Sequence, residues 1–134
     1  MKSVFKIAVI LVVLINTVAW AEYPCTKSYL DKAKKCYLNS LDNENCGVRN
    51  STIFLLVQFK QKHPGENFDK FISKLNEMSD EDCALQNRLH AYLAAVCLER
   101  PTLMDVIKPA NYEDSKVFFD DIYTLISGAQ FASR

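Results

Sequence analysis

Apolar residues recur along most of the chain at steps of three and four, the spacing that places them on one face of an α-helix. The clearest case is Ser79–Arg100, SDEDCALQNRLHAYLAAVCLER, where Leu85, Leu89, Tyr92, Leu93 and Val96 make such a face. Ser79 with Asp82 has the spacing of a capping box. Ala84, Ala91, Ala94 and Ala95 are strong helix formers, and Pro101 stops the segment. The pattern predicts a central helix here, with that apolar face buried.

The other segments read the same way. Thr26–Leu41 is predicted to bury Tyr29, Ala33, Cys36, Tyr37 and Leu41, with Lys27, Lys32, Lys34 and Lys35 on its solvated sides. Asp42–Gly47 is a turn-rich loop. Thr52–Lys62 is apolar on nearly every side and reads as a buried helix, with Asn50 or Ser51 as its cap and His63-Pro64-Gly65 as its stop. Asn67 caps a helix to Met78 whose stripe is Phe68, Phe71, Ile72, Leu75 and Met78. A short turn follows Thr102. Asn111 then caps a last helix, Tyr112–Ser127, closed by Gly128 and trailed by a frayed Gln130–Arg134. No pair of segments has the alternation of a β-hairpin. The expectation is an all-α fold, a small disulfide-stapled bundle of about five helices.

The cysteines supply the staples. Cys83 and Cys97 are fourteen residues apart in the central helix, and Cys25 and Cys36 eleven apart at the first. At about 100° per residue each pair falls within about 40°, on one helix face. Two bridges between two such helices follow, either Cys25–Cys97 with Cys36–Cys83 or Cys25–Cys83 with Cys36–Cys97; spacing does not choose. Cys46 is then the odd thiol, in the polar loop, and an inter-chain bridge through it would make a homodimer.

Bridges need an oxidising compartment, and the N-terminus provides the route. Lys2 and Lys6 precede the apolar run Ile7–Ile15, and Ala19-Trp20-Ala21 has the small-x-small form of a cleavage site. Residues 1–21 are expected to be a signal peptide and 22–134 a single secreted, extracellular helical domain. No second hydrophobic run is long enough to span a membrane. In that route Asn50-Ser51-Thr52 is an N-glycosylation sequon, which marks Asn50 as a glycan acceptor.

Charge and chemistry exclude more than they assign. The signal holds two of the sixteen basic residues and no acid, so the rest of the chain carries 14 basic and 16 acidic residues, net −2. A nucleic-acid binder would show a basic patch instead. Asp42–Gly47 alternates acids and amides before a glycine, but the twelfth position of a calcium loop falls on Ile53. His63 is placed at a helix end and His90 off the apolar face. No HExxH, CxxC or nucleophile-elbow pattern is present. No catalytic residue, metal or cofactor is therefore expected, and the chain is not read as an enzyme.

Two functions fit. The first is a secreted interaction or effector protein, of a venom, salivary or body-fluid type, that binds a macromolecular partner such as an extracellular protein. The second is an extracellular carrier of a small hydrophobic ligand held between helices. The carrier's pocket would draw on Phe54, Phe59, Phe68, Phe71, Tyr92, Phe118, Phe119 and Tyr123.

Overall fold

The structure is a computed structural model that describes residues 26–132, with side chains described as far as Gly128. The predicted signal segment and Cys25 lie outside the described residues. Six α-helices are present among them: α1 Lys27–Leu41, α2 Cys46–Lys62, α3 Asp69–Glu81, α4 Leu85–Glu99, α5 Leu103–Val106 and α6 Ser115–Ala132. A 3-10 turn, Pro109–Asn111, joins α5 to α6, and no strand occurs among the described residues.

The chain divides into two units between Lys32 and Ala33. The described part of the first is Thr26–Lys32, where the Thr26 carbonyl accepts the N–H groups of Tyr29 and Leu30 and so starts α1. Tyr29 is 63% exposed, not buried as its place in the periodic stripe predicted.

In the second unit α4 packs against both α2 and α3, with α6 also against α4. The small side chains explain how. Ala91, Ala94 and Ala95 are buried on α4, so neighbouring backbones approach closely, and Leu93, Cys97 and Leu98 fill the remaining space. Ile53, Leu56 and Val57 come from α2, Phe71, Leu75 and Met78 from α3, and Phe118, Phe119 and Ile122 from α6. Full burial of each large side chain contributes roughly 1.5–3 kcal/mol.

Several helix ends differ from the sequence reading. Helix α2 begins at Cys46, six residues before Thr52, because Asn45 is its N-cap: Oδ1 accepts from Gly47 N–H at 2.8 Å and Val48 N–H at 3.3 Å. A Cβ on Gly47 would lie 3.2 Å from that oxygen, so glycine suits the close approach. Neither Asn50 nor Ser51 caps the helix. Ser79 does not open the central helix; it lies inside α3, where its hydroxyl donates to the Asn76 carbonyl. The break comes at Asp82-Cys83-Ala84, where Asp82 Oδ1 accepts from Ala84 N–H at 2.9 Å. Helix α6 starts at Ser115 rather than Tyr112, with Asp114 Oδ1 accepting from Lys116 N–H at 2.7 Å. Gly128 does not end it, since the helix runs to Ala132. Asn67 is not the cap of α3 either: Phe68 holds that position without a side-chain cap bond, and Asn67, one residue earlier, makes a local turn in which its Oδ1 accepts from Asp69 N–H at 2.9 Å.

Candidate functional site

Two places stand out, one polar and one apolar. The first is where the start of α2 meets the link between α3 and α4. Arg49 projects one turn into α2 and grips Asp82 with two bonds, Nε to Oδ2 at 2.7 Å and Nη2 to Oδ1 at 2.9 Å. Its Nη1 donates to the carbonyls of Asn43 and Glu44, and Nη2 also lies 3.4 Å from Cys83 Sγ. Asn87, buried in the first turn of α4, donates Nδ2 to the Cys46 carbonyl at 3.1 Å and reaches Asp82 Oδ2 at 3.5 Å. The Asp82 side chain is 2% exposed and that of Arg49 11%. The guanidinium holds the Asp82 carboxyl below its ordinary range; burial opposes this, and the Ala84 N–H supports it.

Asn50, next to Arg49 on α2, has its Oδ1 2.9 Å from Nδ1 of His90, which lies about one turn beyond Asn87 on α4. His90 is 2% exposed and stacked on Phe119, ring centroids 4.4 Å apart. Sequence reading placed this histidine off the apolar face; it is in the core instead. Burial pushes its imidazole below the ordinary value, so the neutral ring is favoured. The sequon Thr52 is also buried, its hydroxyl donating to the Val48 carbonyl at 2.8 Å.

No disulfide is present among the described residues, and the four described cysteines sit in distinct surroundings. Cys36, Cys46 and Cys83 are exposed, whereas Cys97 is 0% exposed and burial raises its thiol to about 12. Two premises of the cysteine ladder fail. Cys83 lies in the α3–α4 link rather than within the central helix, so its angle to Cys97 is not set by helical geometry. Cys46 is the first residue of α2 rather than part of an isolated loop.

The eight aromatics do not converge on one pocket. Phe59, Phe68 and Phe71 form one cluster, with centroids 5.7 and 5.5 Å apart, extended by Tyr37 and His63. Phe54, Phe118 and Phe119 form another, with centroids 5.1 to 6.2 Å apart. These are the tilted and edge contacts of packed cores. Tyr92 and Tyr123 belong to neither: they are 49% and 55% exposed. A cleft of about 320 Å³ opens beside the second cluster, lined by Ser51, Phe54, Leu55, Gln58, Tyr112, Glu113 and Ser115. Its lining mixes polar and apolar groups. Tyr112 is anchored there by a 2.7 Å bond from its hydroxyl to Asp121.

The second place is the outer face of α4. Leu85, Leu89 and Tyr92, predicted to be core, are 73%, 42% and 49% exposed, and Val96 is half-buried on the same line. At about 100° per residue these four fall within about 60° of one another. The buried arc lies opposite, through Asn87, His90, Ala91, Ala94 and Leu98. Exposed Arg88 and Glu99 border the apolar line along one side. Single exposed leucines are ordinary; here three large apolar side chains share one exposed side of the helix with the half-buried Val96.

Comparison with family models, curated proteins and solved structures returned no match. Among the described residues no group of His, Cys, Asp and Glu side chains has metal-binding geometry, and no helix is long and apolar enough to cross a membrane.

Proposed function

We propose that this chain is a secreted, disulfide-stabilised interaction protein, without catalytic activity, that binds a macromolecular partner through the outer face of α4. The observation that carries this reading is the exposed line Leu85, Leu89, Tyr92 and Val96. Its residues are the type that anchor a helix-in-groove contact, spaced at i, i+4, i+7 and i+11. Tyrosine is also enriched at the energetic centres of interfaces. The partner that fits is an extracellular protein with an apolar groove, bordered by charge to meet Arg88 and Glu99.

Secretion rests on the basic start, the apolar run and the cleavage form of residues 1–21, together with five cysteines outside that segment. N-glycosylation at Asn50 is part of the same proposal. Its Oδ1 faces His90, while a glycan would be carried on Nδ2. The sequon lies within the first turns of α2, so attachment would have to precede folding of that helix.

The carrier remains the second reading because of the cleft beside Phe54, whose 320 Å³ is at the lower end for small-ligand sites. Packing of six of the eight aromatics into two core clusters supports the interaction reading instead. Native mass spectrometry of protein taken from its source separates the two. A complex with a second macromolecule is the expected result. A monomer with a small-molecule mass that is lost on denaturation would overturn it in favour of the carrier.

A further inference from the structure

We infer that Cys46 and Cys83 are partners in an intramolecular disulfide that ties the start of α2 to the α3–α4 link. The geometry runs through two side chains. Arg49 Nη2 is 3.4 Å from Cys83 Sγ while the same guanidinium grips Asp82, the residue before Cys83. Cys46 is three residues before Arg49 on α2, and residues three apart in a helix are surface neighbours. From the other side, Asn87 donates one amide nitrogen to the Cys46 carbonyl and reaches the Asp82 carboxylate. The backbone of one cysteine and the neighbour of the other are thus within reach of a single amide group.

Exposure points the same way. Cys46 and Cys83 are both open to solvent, so an oxidant reaches either thiol, whereas Cys97 is enclosed. The pairing reassigns both residues. Cys83 leaves the two-helix ladder, and Cys46 ceases to be the odd thiol offered to a second chain.

The oxidant is a disulfide donor, either an oxidoreductase or glutathione disulfide. One cysteine sulfur attacks the donor and displaces one of its sulfurs, giving a mixed disulfide. The second cysteine attacks that bond and releases the other donor sulfur. One S–S bond breaks and one forms, the two thiol protons pass to the departing sulfurs, and the donor takes two electrons.

The inference rests on the secretory reading for its oxidising conditions, and the test separates the two. The full chain, purified reduced, is exposed to glutathione disulfide, alkylated and digested. Trypsin leaves Cys36 and Cys46 together in Cys36–Arg49, so a glutamyl protease is added to cut after Glu44 and Glu81. The expected product is Asn45–Arg49 linked to Asp82–Arg88, lost on reduction. Cys46→Ser should leave Cys83 open to alkylation, and Cys83→Ser should do the same for Cys46. Cys46 linked to another chain, or Cys83 linked to Cys36 or Cys97, would overturn the pairing. Formation of the linked peptide in buffer supports the pairing even if protein taken from its source carries both thiols reduced; that second result would overturn the secretory reading alone.

Discussion

Arg49 and Asp82 show how one residue pair can carry more than its share. Two charge-assisted bonds in a forked geometry join them, and both side chains are mostly enclosed. Removing one partner of such a pair leaves an uncompensated buried charge, which typically costs about 3–5 kcal/mol. Arg49→Met is therefore expected to destabilise by that order in urea unfolding, with the loss largest near neutral pH. The Asp82 contribution is complete above the ordinary carboxyl value of 3.8 and disappears as pH falls through its lower folded value. His90 adds a second acid-sensitive term. Its folded value lies below the ordinary 6.5, chiefly through burial, with Asp120 and Asp114 opposing that shift and Lys116 adding to it. The unfolded chain thus takes up a proton that the folded chain resists, and stability falls as pH drops below 6.5. His90→Gln is expected to flatten the stability curve between about pH 7 and about pH 5. An unchanged slope there would remove His90 from the account. None of these roles was legible in the sequence, because Arg49, Asp82 and His90 meet partners 33 and 40 residues away. Asp82 alone gave a local signal, an acid just before a helix start.

At the scale of elements, all the long helices were legible and most of their ends were not. Periodicity locates a helix, but the cap that starts it depends on one side-chain oxygen. Asn45 was hidden inside a run of turn-forming residues that all look alike. Its replacement by alanine is expected to cost about 1 kcal/mol, measurable as a lowered Tm. The larger difference is the face of α4. Leu85, Leu89, Tyr92 and Val96 look like a buried stripe, yet alanines on the opposite side admit α2 and α3. A helix with one large apolar face and one small one presents two candidate cores to a periodicity argument. Close approach of backbones favours the small one. The contrast is testable by unfolding: Leu75→Ala in the core should cost about 2–5 kcal/mol, whereas Leu89→Ser should stay within about 0.5 kcal/mol of wild type. A large loss at Leu89 would mean that the face is structural after all.

For the whole molecule, the sequence set the class and the structure moved the attention. An all-helical fold followed from periodicity alone. The proposed pocket did not survive as one feature, since its aromatics divide between two packed clusters and two exposed tyrosines. The cysteines were legible as staples in number but not in pairing, because helical phase fixes a face only while both residues stay in one helix. If Cys46 and Cys83 are joined, the closed loop of about 38 residues stabilises by about 4 kcal/mol in the chain-entropy model. Partner binding through the outer face of α4 is tested by one comparison. Wild-type protein and the triple variant Leu85→Ser, Leu89→Ser, Tyr92→Ser would be immobilised in equal, folded amounts. Each would be exposed to the fluid in which the protein occurs, and bound protein quantified. A partner retained by the wild type and lost at least tenfold in the variant is the expected result. Equal retention by both, or none by the wild type, would contradict it.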